Sequence, residues 1–395
     1  MKELINVEQP VTIGSRDWDL LETPTTGSIN LEFTSRCNLR CVYCSLSHPD
    51  YIGQDLTCIG DFDAFVKDLK ARSIDKICIS GTGETLILKD WRSYCQKLLE
   101  AGFSLTLISN FAREMDQEDY DTLARLSQID VSCDTVDLKL FRKLRRGADF
   151  RMLVYNMARV RAAACKNGHE IPLFAWSCVV TDQNILGLEN YVATGISMGV
   201  RQFNFCNLAK ISDLPHADSF NHVCEMPREQ FYEALGALER ALKLIKGFGL
   251  KFVCHDGLLD SINARVNQDQ AKANDVTRQT KVEERSSWKE EGGMGVTTYS
   301  AQPQSGQTRD CLDPWNYAIV RADGGVTPCC FYSPVGSLSS GQSINDILNN
   351  SSIKRLRQNL LSGDLDTACR TCPGRPLTDC GTLREKVRDH LAQTG

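Results

Sequence analysis

The stretch INLEFTSRCNLRCVYCSLSHPDY, residues 29–51, joins a short apolar run, INLEF, to a loop carrying Cys37, Cys41 and Cys44 within eight positions. The run has the composition of a buried strand, so the three thiols stand at its C-terminal mouth. Two metal readings follow. A closed zinc site takes four ligands, and His48 completes a Cys3His knuckle. A [4Fe–4S] cube held by three cysteines keeps one iron open for a ligand, so an incomplete set is then a feature. The Cys-x3-Cys-x2-Cys spacing favours the cube, because one short loop meets it corner by corner. Tyr43, just before the third cysteine, is placed to pack its ring beside whatever fills the open iron.

Moving outward, residues 29–255 alternate short β-rich runs with longer amphipathic stretches. The runs after INLEF are KICIS (76–80), LTLIS (105–109), IDVSC (129–133), LFAWSCVV (173–180), QFNFC (202–206) and KFVC (251–254). Between them lie segments such as DFDAFVKDLKARS and REQFYEALGALERALKLIKGFG, with apolar residues at three- and four-residue steps. Repeated βα units demand parallel strands and right-handed crossovers, which predicts an α/β fold of barrel type. Chemistry on such a barrel sits at the C-terminal ends of the strands, where the cysteine loop begins.

The whole chain has 395 residues, 45 basic and 50 acidic side chains and a net charge of −5. No basic block stands out, which argues against nucleic acid as a partner. No signal peptide and no long apolar run is present, so a cytoplasmic protein without a membrane partner is expected. In a reducing compartment, eighteen cysteines point to metal rather than disulfides. Cys58, Cys95, Cys165 and Cys224 stand singly and read as ordinary packing.

Composition changes after residue 257. Residues 258–310 are polar and read as a linker or lid, and the GGMG within them (292–295) carries no phosphate-binding role. Residues 311–395 regain structure through a hairpin, NYAIVRADGGVTPCC, turning at Asp323-Gly324-Gly325. This last part holds Cys311, Cys329, Cys330, Cys369, Cys372 and Cys380. The expected organisation is an extension at 1–28, a barrel at 29–257, the linker at 258–310 and a C-terminal metal domain at 311–395.

CNLRCVYC at the end of the first strand resembles the signature of the radical S-adenosylmethionine enzymes, Cys-x3-Cys-x-aromatic-Cys. The resemblance implies a partial (β/α)6 TIM-type barrel, S-adenosylmethionine as cofactor, and a [4Fe–4S] cluster on Cys37, Cys41 and Cys44. In that family the reduced cluster cleaves the cofactor to a 5′-deoxyadenosyl radical that abstracts a substrate hydrogen. SGTGET (80–85) is similar to the family's Gly-Gly-Glu-Pro loop, with Gly83 and Glu84 matching, Thr82 following Gly81 and Thr85 in place of proline. By the same resemblance Ser109, Asn110 and Ser132 are expected at the cofactor, with Arg146 of LRRGADF holding its carboxylate. Each of these polar residues reads equally as a turn or cap.

The C-terminal spacing is Cys311, seventeen residues, Cys329, thirty-nine residues, Cys369, two residues, Cys372. It resembles the twitch extension, a shortened SPASM domain holding one auxiliary [4Fe–4S] cluster on those four cysteines. Cys330 points the other way if its strand continues, and no cysteine follows Cys380 to complete a further cluster. A zinc ribbon is the alternative for this segment.

An auxiliary cluster beside a radical site implies a redox role. The single-cluster layout is similar to that of enzymes that oxidise an aminocyclitol alcohol, and this resemblance implies oxidation of a polar small molecule, a sugar or aminocyclitol alcohol, with the auxiliary cluster accepting an electron. A flavodoxin or ferredoxin is the expected electron donor. Inversion of a sugar carbon is the alternative, with Cys206 or Cys254 as hydrogen donor at a strand end. Modification of ribosomal peptides is another, although only 28 residues precede the first strand, fewer than a leader-binding domain needs. A non-enzymatic electron carrier is the remote case.

Overall fold

The computed structural model describes residues 18–23, 25–56, 59, 61–208, 214–215, 219–276, 302–372 and 374–394. Seven strands cover the expected barrel region: β1 Ser28–Leu31, β2 Lys76–Ile79, β3 Ser104–Ser109, β4 Gln128–Ser132, β5 Leu173–Val179, β6 Gln202–Cys206 and β7 Lys251–Cys254. All neighbours among them pair in parallel in chain order. The helices between them are α1 Phe62–Ala71, α2 Trp91–Glu100, α3 Gln117–Leu123, α4 Leu138–Leu144, α5 Phe150–Asn167, α6 Leu188–Ser197 and α7 Arg228–Gly247. Six successive βα units thus form the partial barrel, and β7 adds a further parallel strand.

Period-two alternation divides the sheet into two unlike faces. Leu31, Ile77, Leu107, Val131, Trp176 and Phe203 are buried on the face covered by the helices. On the other face stand Asn30, Cys78, Ile108, Asp130, Ser177 and Asn204, a largely polar inner surface on which Ile108 stays exposed. Helix starts follow local chemistry: the Asp61 side chain accepts from the amides of Asp63 and Ala64 at 3.0 Å, and Asp116 with Asp119 forms a capping box on α3. Such caps are worth about 1 kcal/mol each.

The C-terminal part extends this sheet. Strand β8, Tyr317–Val320, lies parallel to β1, and β9 (Gly325–Thr327) and β10 (Gly336–Ser337) follow antiparallel. The order across all ten strands is β10-β9-β8-β1-β2-β3-β4-β5-β6-β7. The hairpin turns where expected, with Gly324 at φ 83 and the Gly325 amide bonded to the Asp323 side chain. The N-terminal turn is sewn to the same part, since Trp315 Nε1 donates to the Leu20 carbonyl at 2.6 Å.

The expected linker is ordered at both ends. A helix, α8, runs over Asp256–Val276 because Leu258 and Ile262, four residues apart, are buried on one side. At the other end, Gln307–Arg309 pairs antiparallel with Leu377–Asp379, so the C-terminal part begins before Cys311. Cys58 and the GGMG segment lie outside the described residues. Cys95 is core, whereas Cys165 is exposed on α5.

Candidate active site and metal centres

The cysteine loop is held against its neighbours by a two-residue antiparallel ladder that sets Arg40 opposite Arg146 and Cys41 opposite Arg145. The loop's thiols share one electrostatic neighbourhood: the charge of Cys44 opposes ionisation of Cys37, and those of Cys44 and Cys37 oppose ionisation of Cys41. Burial raises the Cys37 thiol and pushes Cys41 up to about 12, with the Arg145 guanidinium working against that rise. Cys37 Sγ accepts from the Leu39 amide at 3.4 Å and from Asn110 Nδ2 at 3.7 Å. Among the described residues no three His, Cys, Asp or Glu side chains converge on one ion's position. Thiols that each take a separate corner of a cube need not do so. Soft thiolates with amide donors beside them fit an iron–sulfur cluster.

Behind the loop lies a buried charged group that the sequence reading had not assembled. Asp134, fully buried, faces Arg145 at 2.8 Å between Oδ2 and Nε, and accepts from Arg145 Nη2 at 3.1 Å and from the Val179 amide at 2.9 Å. The Tyr43 hydroxyl donates to the same carboxylate. The Tyr43 ring meets Phe220 edge-on, 6.2 Å between centroids, in a small apolar cluster with Val42 and Leu144. Arg146, the expected carboxylate holder, is on the exposed side of the ladder, and its buried neighbour Arg145 is consumed by Asp134.

The SGTGET loop packs directly on the backbone ahead of Cys37. A Cβ on Gly83 would stand 2.3 Å from the Thr34 carbonyl oxygen and 2.5 Å from that of Arg36, so only glycine fits. Glu84 is 2% exposed, and its carboxylate accepts from Ser109 Oγ at 2.8 Å, the Asn110 amide at 2.7 Å and the Leu86 amide at 3.1 Å. Glu84, Ser109 and Asn110 thus come together as one network beside Cys37. Immediately after it, Phe111 is held at φ 53, a left-handed conformation that costs a bulky residue about 1–3 kcal/mol. Asn156 Nδ2 clamps the Phe111 carbonyl at 2.9 Å. Ser132 ends β4 on the inner face, paired in register with Ser177.

Of the two strand-end thiols, Cys206 follows Asn204 on the inner face, and its Sγ lies 3.6 Å from His255 Nε2. Burial pushes it up to about 11. Cys254 is in register with the buried Phe205 and packs against the apolar core, on the helix-covered face. On the inner face Asn204 Nδ2 donates to Ser177 Oγ at 3.0 Å and to Asp130 at 3.3 Å, and Gln128 donates to Asp130 at 2.6 Å.

The second cysteine set surrounds a cavity of about 120 Å³ whose lining includes Cys311, Cys329, Cys330, Cys369, Cys372 and Arg309. Burial raises Cys311, Cys329 and Cys369, and Cys369 feels the charges of Cys311, Cys329 and Cys372. Strand β9 ends at Thr327, so no pleat separates Cys329 from Cys330, and both reach the cavity. Cys380 is buried away from this lining, where its Sγ would stand 2.9 Å from a Cβ on Gly363. Arg309, 1% exposed, donates to the carbonyls of Cys369, Arg370 and Arg375 at 3.0, 2.6 and 3.2 Å.

Two residues escaped the sequence reading. Glu32 is buried at the end of β1 and bonds Thr82 and Ala322. Its signal was a charge inside the apolar run INLEF. Arg309 gave no signal of its own.

Fold and sites define an iron–sulfur protein on a partial βα barrel. Comparison with known proteins gives the family: residues 31–175 match the radical SAM superfamily, and residues 311–373 match the SPASM family, described as an iron–sulfur cluster-binding domain. The chain belongs to the radical SAM superfamily, in its SPASM-containing group. Among solved structures it is similar to Streptococcus suis SuiB bound to S-adenosylmethionine, at a TM-score of 0.59 and 12% identity over 86% of this chain and 69% of that one. It is also similar to anSMEcpe with bound AdoMet and a peptide, at a TM-score of 0.52 and 15% identity over 93% and 96% of the two chains. At these identities the likeness is one of fold. A curated relative, the GTP 3′,8-cyclase of Rhizobium leguminosarum, is 30% identical over 145 residues, 35% of this chain and 41% of the relative. The cyclase of Caulobacter vibrioides is 29% identical over 169 residues, 38% and 48% of the two chains. The chain thus spans less than half the length of these two relatives. Among the described residues no helix is long and apolar enough to cross a membrane.

Proposed function

We propose that the protein is a radical S-adenosylmethionine oxidoreductase that converts a sugar or aminocyclitol alcohol to a ketone. Cys37, Cys41 and Cys44 hold the cofactor-binding [4Fe–4S] cluster, and Cys311, Cys329, Cys369 and Cys372 hold an auxiliary one. When bound, the first cluster and S-adenosylmethionine supply a radical able to remove hydrogen from carbon. Conversion to a ketone would also require loss of a proton and one further electron, and a cluster held by the four C-terminal cysteines would supply the electron acceptor. A flavodoxin or ferredoxin supplies the initiating electron.

The observation carrying this reading is the cavity where the C-terminal cysteines meet, in a part whose hairpin continues the sheet that bears the Cys37 loop. The polar inner face, with Asp130, Ser177 and Asn204, supports a hydroxyl- or amine-bearing substrate. The chain's residues here bind and orient. Glu84, Ser109 and Asn110 stiffen the cofactor loop, and the Asp134–Arg145 pair fixes the cysteine loop from behind.

One observation favours a second reading. Cys206 lies on the inner face beside His255, where a thiol can return a hydrogen to a substrate radical and invert its carbon. Anaerobic turnover of candidate aminocyclitols and sugars in deuterated water, followed by mass spectrometry, decides. Oxidation lowers the substrate mass by two hydrogens without retained deuterium. An unchanged mass with one retained deuterium overturns it in favour of inversion, and turnover of a peptide alone overturns the substrate class.

A further inference from the structure

Glu32 is a carboxylate with 7% exposure at the end of β1, where every other side chain of its run but Asn30 is apolar. Its two oxygens serve different parts of the protein. Oε1 accepts from both the amide and the hydroxyl of Thr82, each at 2.5 Å. Oε2 accepts from the Ala322 amide at 3.0 Å. Thr82 belongs to the loop that packs on the backbone before Cys37 and ends in Glu84. Ala322 lies in the turn from β8 to β9, and that hairpin leads on to Cys329.

The contact is tightly enclosed. A Cβ on Gly81 would stand 2.3 Å from Glu32 Oε1, so the loop closes on the carboxylate only because residue 81 is glycine. The Glu32 amide itself donates to the Val320 carbonyl at 2.8 Å, anchoring its backbone to β8 as well. Hydrogen bonds to an ionised acceptor are roughly twice as strong as neutral ones, and more so away from water. A planar carboxylate cannot turn toward one loop without moving its other oxygen.

We propose that Glu32 is a positioning residue that couples the cofactor loop to the auxiliary-cluster hairpin, so that occupancy of the first site is felt at the second. The coupling to cofactor rests on the function proposed above; the mechanical tie does not. Because linkage is reciprocal, the state of the hairpin must also alter affinity at the cofactor loop.

Amide hydrogen exchange on the reconstituted full chain tests both. Thr82→Val removes the hydroxyl donor and should speed exchange at residues 321–325 severalfold without ligand, whereas in a Glu32→Gln background the same change should add nothing. Unchanged exchange at 321–325 in Thr82→Val overturns the proposal whatever the protein binds. S-adenosylhomocysteine, an uncleavable probe, should slow exchange at 321–325 in the parent and not in Glu32→Gln, with iron content equal in both. Equal protection in the two overturns it. A parent that takes up iron at neither site and shows no binding isotherm for the probe sinks the proposed function instead, and the Thr82→Val comparison still decides the tie.

Discussion

Arg309 donates through Nη2 to the carbonyl of Arg370 at 2.6 Å, placing a buried cation beneath the turn between Cys369 and Cys372. Burial lowers the guanidinium below its usual basicity, and the neighbouring Cys372 and Cys369 work against that fall. Arg309→Met should therefore lower the auxiliary reduction potential, because the reduced cluster is the more negative state, and should lower auxiliary iron content. A single ammonium cannot reach three carbonyls, so Arg309→Lys should restore potential better than iron content. A potentiometric titration followed by EPR checks this; an unchanged potential in Arg309→Met removes the electrostatic role.

Asp134→Asn should leave Arg145 charged and unpaired behind the cysteine loop. Breaking a buried pair on one side costs about 3–5 kcal/mol, whereas replacing both partners by apolar residues costs far less. Thermal unfolding should thus show a large drop in Tm for Asp134→Asn and partial recovery in the Asp134→Leu/Arg145→Met pair. Parent-like stability in the single variant would count against the pair as a support.

Iron uptake by the apoprotein should depend on pH. Cys41 sits at about 12 and Cys37 is also raised, so both are protonated at neutral pH, while the cluster requires thiolates. Uptake must release protons and should quicken as pH rises from 7 to 9. The folded apoprotein has the opposite slope. Its raised Cys41 contributes stability that is fully present below the unfolded thiol value near 9 and is lost as pH climbs toward 12. Reconstitution rates and apoprotein Tm across that range check both signs.

Glu84→Ala should strand the Ser109 hydroxyl and the Asn110 and Leu86 amides, three buried donors that now share one carboxylate. Each costs about 1–3 kcal/mol when left unpaired. Loss of stability should come with weakened S-adenosylhomocysteine binding, measured by calorimetry. Undiminished binding would confine Glu84 to a structural role.

Cys206→Ala separates the two readings of the reaction. For an oxidation the variant should turn over at close to the parent rate, since only packing changes. For an inversion it should stall after forming 5′-deoxyadenosine, with no inverted product. Chromatography of both products from one reaction reads the difference.

The parallel sheet and both cysteine sets were legible because each rests on local spacing: β-branched runs, amphipathic periods and short cysteine intervals. What was not legible depends on long-range geometry. Arg145 and Arg146 are adjacent in sequence, and only the ladder against Arg40 and Cys41 decides which is buried. Cys206 and Cys254 look equivalent at their strand ends, yet the register sends them to opposite faces. Helix α8 was missed because two buried apolar residues, Leu258 and Ile262, are diluted by polar neighbours.

The seating of β8 beside β1 also sets an order of events during synthesis. Gly27 donates to Asn316 across a separation of 289 residues, so one side of the strand leading to Cys37 gains its partner only after those intervening residues have been made. Such distant pairings are slow to form, and an uncovered strand edge invites wrong partners meanwhile. The cysteine loop emerges from the ribosome well before the hairpin at 317–327 and hangs from a half-paired strand until that hairpin arrives. Premature termination ahead of that hairpin would leave the first metal site attached to a bare, adhesive edge, making aggregation rather than a free-standing barrel the expected fate of the fragment.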